Sequence, residues 1–316
     1  GANRNADDYY NSIYNNASNL DVLSETIIIA PQFLITVDLN HWHPSAEFVF
    51  WSGTTPWSSG GLSNSTNEHP RDYEISSFTI MDSLIAHLLT IYPNIQDIVL
   101  VGNSAGGQFV NRYAAGSDQE AQGKIRYIVS APSSYVYMDE YRYNEYLFPI
   151  NWELPENCGE YNDYKYGLDD LNHYMSMMGI DSIRERYFRR RIQYLIGSID
   201  TGGTQDCESM VQGSNRLERL IIYYNYLQHF YGSQIIDNQQ IALVSGLGHD
   251  YSGIFSSSCG RSAIFNYGDC EQYNNLVFPT SNFSLDNNVG NYPHTVNFFN
   301  ESVAGTHPLS SFNWII

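Results

Sequence analysis

Lysine is almost missing from this chain: Lys124 and Lys165 are the two in 316 residues. With arginine the bases reach 15 against 34 acids, for a net charge of −19. Binding a polyanion needs a basic face, so nucleic acid and anionic membrane surfaces are excluded as partners. The one dense basic stretch, "IRERYFRRR" at 183–191, reads as a solvated helix face. No run of about twenty apolar residues occurs, which excludes a membrane-spanning helix. Close C-x-x-C pairs of the zinc type are missing too, since Cys158, Cys207, Cys259 and Cys270 stand far apart. The opening "GANRNADDYY" has no apolar targeting stretch, so an export signal is expected either to have been removed or to lie upstream.

What is present is a packed globular composition, 42% hydrophobic and 16% charged, which excludes disorder as the default. Asn-x-Ser/Thr sequons stand at Asn16, Asn64, Asn282 and Asn300. With an even cysteine count and few lysines they imply a secreted, disulfide-bonded glycoprotein. Four cysteines leave three pairings open. The preferred one joins Cys158 to Cys207 and Cys259 to Cys270, the latter closing a short loop.

Apolar runs and periodicity give the order of elements. A strand at 25–30 ("ETIIIA") leads into a loop at 36–75 rich in Trp, Ser, Gly and Asn. A helix over 76–92, with Ser76 as N-cap, precedes a strand at 97–103, a helix at 105–115 and a strand at 124–131. The alternation breaks at 133–190, an aromatic insertion. It resumes with a strand at 191–198, a helix at 206–231, a strand at 240–246 and a short helix at 250–257. Short buried strands alternating with helices predict an α/β protein with a mostly parallel sheet flanked by helices. One domain is expected over 1–275, with 133–190 as a lid. Residues 276–316 read as an irregular tail and a contact segment for a protein partner.

In such a sheet, chemistry collects at the carboxyl ends of strands. "Gly102-Asn103-Ser104-Ala105-Gly106" places a serine between small residues at a strand-to-helix turn, where a side chain can project above the sheet. The competing role for Ser104 is a plain helix N-cap. A serine hydroxyl needs a base, and the base an orienting acid. Of nine histidines, His249 alone follows directly on an apolar strand and a glycine turn. Asp200 lies just beyond the strand ending at 198 and is preferred as the acid. Asp206 competes with it and suits a helix-capping role. The chain order is Ser, Asp, His.

With these residues in place the chain resembles the α/β-hydrolase superfamily, in particular its secreted carboxylesterase-like serine hydrolases. The resemblance runs from residue 1 to about 270 and is carried by "GNSAGGQFVNRYA" (102–114), "SAPSSYVYMD" (130–139), "YKYGLDDLNHY" (164–174), "YLIGSIDTGG" (194–203) with "QGSNRLER" (212–219), and "GLGHDYSGIF" (246–255). It implies an α/β-hydrolase fold and a Ser104–His249–Asp200 triad cleaving carboxylic esters through an acyl-enzyme, without a cofactor. It also implies an oxyanion hole from the Ala105 N–H and a second N–H supplied by Ala2 or Asn3, in a turn that follows an earlier strand. The upstream strands of such a sheet are not in the chain, and an N-terminal segment carrying them is expected to be missing or cleaved and retained.

Other suggestive residues weigh less. His41 and His43, in "NHWHP", lack a third ligand nearby and read as loop packing, so no metal is expected. Trp57, in "PWSSGG", is the candidate for gripping a small-molecule or polymer ester substrate. Arg112 and Tyr113 read as bracing the helix behind Ser104. Gly102, Gly106 and Gly107 lack the G-x-G-x-x-G spacing of a dinucleotide site. The alternative from another class is a non-catalytic extracellular structural or adhesion protein on the same fold.

Overall fold

Four runs of aliphatic and β-branched residues form the centre of the molecule. In the computed structural model, which describes residues 3, 5–42, 48–53, 56–119, 123–144, 151–273, 283–286 and 296–302, they pair as one parallel sheet. Two units are distinguished, 1–272 and 273–316. The first opens with helix α1 (Ala6–Asn19), a stretch over 26–33 without regular secondary structure, strand β1 (Leu34–Ile35), helix α2 (Thr36–Trp42) and strand β2 (Phe50–Trp51). Helix α3 (Ser77–Ile91) follows, then strand β3 (Ile98–Asn103), helix α4 (Ala105–Gly116) and strand β4 (Ile125–Ser130). The insertion contributes β5 (Arg142–Asn144), β6 (Asn151–Glu153), α5 (His173–Met178) and α6 (Ile180–Arg189). The unit closes with β7 (Arg191–Gly197), α7 (Cys207–Met210), α8 (Arg216–Tyr231), β8 (Gln239–Val244), α9 (Tyr251–Ser256) and α10 (Ser258–Phe265). In the second unit β9 (Phe283–Leu285) pairs antiparallel with β10 (Phe298–Asn300).

The main sheet has the order β3-β4-β7-β8, all parallel, so every strand points its carboxyl end the same way. Side chains alternate between its two faces. On one face Ile128, Leu195 and Ala242 pack with Ile254, Phe255 and Ile264 of α9 and α10. On the other, the tyrosine-rich composition finds its use. Tyr187 and Tyr194 are fully buried and their hydroxyls meet at 2.8 Å. Asn111 Nδ2 donates to Tyr187 Oη at 2.7 Å, Tyr223 Oη donates to the same oxygen at 3.0 Å, and Tyr194 Oη donates to Gln239 Oε1 at 2.8 Å. Burial raises all three phenols well above their ordinary range, so they serve as neutral hydrogen-bonding groups. The network ties α4, α6 and α8 to β7 and β8.

The structure departs from the sequence expectations in places that have physical causes. The expected strand at 25–30 has no ladder partner among the described residues. A cavity of about 860 Å³ lies between residues 26–33 and β3, and the observed pairing falls later, between Leu34–Ile35 and Phe50–Trp51. The expected loop at 36–75 contains α2 and β2. The single helix expected over 206–231 is two, because Gly213 turns at φ 138° and Asn215 caps α8 by accepting from Glu218 N at 3.0 Å. The basic stretch is not uniformly solvated: Arg190 is 7% exposed, and its guanidinium donates to the Ala114, Ser117 and Gln119 carbonyls, closing the C-terminal end of α4. Much of the expected lid belongs to the body, since Ser133–Met138, Tyr174 and Tyr187 are buried. Arg142, 1% exposed, anchors that insertion by donating to Asp139 O and Asn162 Oδ1 and by lying 4.0 Å from the Tyr137 ring centre.

Tyr187→Phe removes the hydroxyl on which three side chains converge. It is expected to lower unfolding free energy by about 1–3 kcal/mol, read from urea unfolding, because buried donors lose their acceptor.

Candidate active site

Three residues that follow three strands of the parallel sheet, β3, β7 and β8, stand at its carboxyl edge. Ser104 comes directly after β3, Asp200 three residues after β7 and His249 five residues after β8. Ser104 has φ 58° and ψ −120°, a conformation that a non-glycine residue holds only when its surroundings enforce it. Its N–H donates to Ser130 O at 3.0 Å and its carbonyl accepts from Gln108 N at 2.9 Å, pinning the turn to β4 and α4. Close approach explains the glycine at 102: a Cβ there would lie 2.2 Å from Gly106 O. The Ser104 side chain makes no capping hydrogen bond and is half-exposed.

The Ala105 N–H stands at the first turn of α4, among the donors that a helix leaves unpaired, where a developing negative charge is stabilised. Of the residues expected to supply the second donor, Asn3 is exposed in a turn and Ala2 lies outside the described residues.

Asp200 is buried, with 2% of its side chain exposed, whereas 31% of the His249 side chain is exposed. His249 Nδ1 and Asp200 Oδ2 are 2.8 Å apart, which leaves Nε2 as the free face of the imidazole. Two loops are stitched together to bring this about. Ile199 N donates to Leu247 O at 3.0 Å and Gly246 N donates to Ser198 Oγ at 2.9 Å. Gly197 makes room for the approach, since a Cβ there would lie 2.2 Å from Leu247 O. Burial by itself raises the Asp200 carboxyl, but the hydrogen bond and charge of His249, then Arg216, outweigh it and hold the group below the usual carboxylate range. Asp206 does the other job: it caps α7, its Oδ1 accepting from Ser209 N at 2.8 Å. Among the described residues no hydrogen bond links Ser104 Oγ to His249, and such contacts are commonly loose until substrate is bound.

Trp57 is half-buried and stacks on Phe33, with ring centres 5.2 Å apart and planes 5° from parallel. With Phe109 these rings line the 860 Å³ cavity along β3, which reaches Asn103 and Gly106 on either side of Ser104. Arg112 is fully buried and donates to Ser58 O, Lys165 O, Gln108 Oε1 and Ser134 Oγ, and desolvation lowers it to about 10. It braces α4 against the insertion. Arg216 carries no role in the sequence reading, yet its Nη1 lies 3.1 Å from Asp200 Oδ1. Its position in "SNRLER", at the start of a helix after a capping Asn, was the available signal.

The cysteines pair as Cys158–Cys207 and Cys259–Cys270. Of the sequons, Asn16 is 5% exposed and its Nδ2, the atom a glycan would need, donates to Ser12 O at 2.9 Å. Asn64 is half-buried, Asn300 is exposed, and Asn282 lies outside the described residues. His43 lies outside them as well, as does the side chain of His41.

No family model and no curated protein matches the chain. Solved structures share its architecture, among them the following two. One is LpqC, a poly(3-hydroxybutyrate) depolymerase from Bordetella parapertussis, with TM-score 0.55 and 20% identity over 84% of this chain and 78% of that one. The other is poly(aspartic acid) hydrolase-1 from Sphingomonas sp. KT-1, with TM-score 0.53 and 18% identity over 80% of this chain and 81% of that one. The fold is that of the α/β hydrolases.

Gly197→Ala is expected to push the 247–249 turn away from Asp200. Turnover of an activated ester should fall about tenfold to a hundredfold while the far-ultraviolet circular dichroism stays that of the parent.

Proposed function

We propose that this protein is an exported serine hydrolase that cleaves uncharged carboxylic esters through an acyl-enzyme. The observation that carries the reading is the 2.8 Å contact between His249 Nδ1 and the buried Asp200, at the same sheet edge as a serine on a strained turn with its hydroxyl unused by the helix. In this mechanism Ser104 Oγ attacks the ester carbonyl carbon while His249 Nε2 takes its proton. Asp200 orients the imidazole and offsets the charge it acquires. The Ala105 N–H meets the oxyanion, with Asn3 or Ala2 as the second donor. Collapse of the tetrahedral intermediate expels the alcohol, which leaves with the proton from His249. A water activated by the same imidazole then releases the acid and restores Ser104.

Charge narrows the substrate class. Two of the similar structures are named for a polyester and for a polyanionic polyamide. A net charge of −19 repels a polyanion, so the neutral ester is favoured over the acidic polymer. Apolar rings at Trp57, Phe33 and Phe109, which line the cavity along β3, suit an uncharged acyl or polyester chain. Two disulfides fit an oxidising compartment, and no helix among the described residues is long and apolar enough to cross a membrane. Among the described sequons, the exposed Asn300 is the one whose placement suits a glycan.

The test compares hydrolysis of p-nitrophenyl acetate and butyrate by the parent and by Ser104→Ala. The variant should lose at least about a thousandfold in kcat while its unfolding transition stays in place. Equal turnover by the two proteins contradicts the proposal. Among polymers, a neutral polyester should be degraded faster than poly(aspartic acid), read as acid released per unit time, and the reverse order contradicts the assignment of an uncharged substrate.

A further inference from the structure

We infer that Arg216 is a positioning residue for the proposed triad: it fixes the Asp200 carboxylate in the orientation that faces His249 and shares that carboxylate's charge with the imidazole. This rests on the ester-hydrolase reading and adds a fourth residue to it. The two oxygens of Asp200 are divided between two partners, Oδ2 to His249 Nδ1 at 2.8 Å and Oδ1 to Arg216 Nη1 at 3.1 Å. With 2% of its side chain exposed, Asp200 has almost no water to satisfy the second oxygen, and 17% of the Arg216 side chain is exposed. The carboxylate is gripped from both ends and cannot rotate without breaking one contact.

The surroundings of Arg216 serve this placement. It is the first residue of α8, and its own N–H donates to Gly202 O at 2.8 Å while Leu217 N donates to Asp200 O at 3.1 Å. The start of the helix is thereby fastened to the loop that carries the acid. The guanidinium occupies room left by a glycine, since a Cβ on Gly202 would lie 2.8 Å from Nη1. Arg216 Nε reaches toward Ser133 Oγ at 3.4 Å, linking the loop after β4 as well.

The charged and titratable groups facing Asp200 are His249 from the turn after β8, Arg216 from α8 and the Tyr135 phenol from the connection after β4. Arg219, one turn further along α8, directs its donors to the Gly213, Ser133 and Thr204 carbonyls. Asp250, next to His249, turns away to cap α9. Arg216 is thus the cation in contact with the acid. A cation there opposes protonation of the neighbouring imidazole, because two positive charges then share one carboxylate. Removing that charge while keeping a hydrogen-bond donor leaves the whole carboxylate charge to the imidazolium.

The experiment is the pH profile of kcat/KM for p-nitrophenyl acetate, between about pH 4 and pH 9, in the parent, Arg216→Gln, Arg216→Lys and Gly202→Ala. Arg216→Gln should move the acid limb upward by about half a unit to one unit, with kcat on the plateau lowered by about tenfold or less. Arg216→Lys should return the limb toward the parent's. Gly202→Ala, which crowds the guanidinium without altering it, should move the limb in the same direction as Arg216→Gln, and it carries the test if Arg216→Gln does not fold. Folded variants whose acid limb stays at the parent's position, or moves downward, overturn the inference. Absence of any Ser104-dependent turnover in the parent instead refutes the hydrolase reading, so the two failures are told apart.

Discussion

A carboxylate withdrawn from water is the constraint around which the rest of this site is arranged. Asp200 keeps its charge in the interior because a histidine and an arginine each take one of its oxygens. Burial alone opposes that charge, so the partners must be held in place by something stiffer than the loop itself. The stiffness comes from the sheet. β7 and β8 are neighbours in register, the turns beyond them are cross-linked by the Ile199 N–H to the Leu247 carbonyl and by the Gly246 N–H to the Ser198 hydroxyl, and α8 begins with a bond back to Gly202. The histidine can then lie partly open to solvent while the acid beneath it stays dry.

The elbow at Ser104 depends on the same frame from the other side. Its strained backbone is fixed by bonds to Ser130 and Gln108, and β4 is the strand that separates it from β7. Behind it, the tyrosine network and the fully buried Arg112 lock α4 to the insertion and to α8. The buried side chains of Asn111, Tyr187, Tyr194, Tyr223 and Arg112 are tolerated because these groups find partners in one another and in the backbone, and in doing so they fix one arrangement of helices against the sheet. A protein with few lysines and many tyrosines has in effect moved much of its hydrogen bonding inward.

What was legible in the sequence was the part that depends on short-range pattern. The aliphatic runs of β3, β4, β7 and β8 announce buried parallel strands, and the residues just past them, Ser104, Asp200 and His249, were readable as candidates from position alone. Asp206 could be set aside as a cap because an acid just ahead of a short helix has that local use. What was not legible depended on contacts across the chain. Arg190 sits in a run of arginines that looks solvated, yet one of them is drawn in by the open carbonyls at the end of α4, 76 residues away. Asn16 satisfies a sequon but lies on the buried side of α1, a helix whose polar composition hid it. Arg216 meets Asp200 across 16 residues, through a helix start that splits what looked like one continuous helix. The isoleucines before residue 30 have the composition of a strand, but a ladder is a property of two segments, and here a cavity separates them from β3.

The central claim is that Ser104 is a nucleophile activated by the His249–Asp200 pair. Its most direct test is reaction with a fluorophosphonate at neutral pH, followed by peptide mass mapping of the adduct. The account predicts a single adduct on Ser104 that forms in the parent and is suppressed in His249→Ala. No adduct on Ser104 in the folded protein, or equal labelling in the parent and His249→Ala, would contradict it.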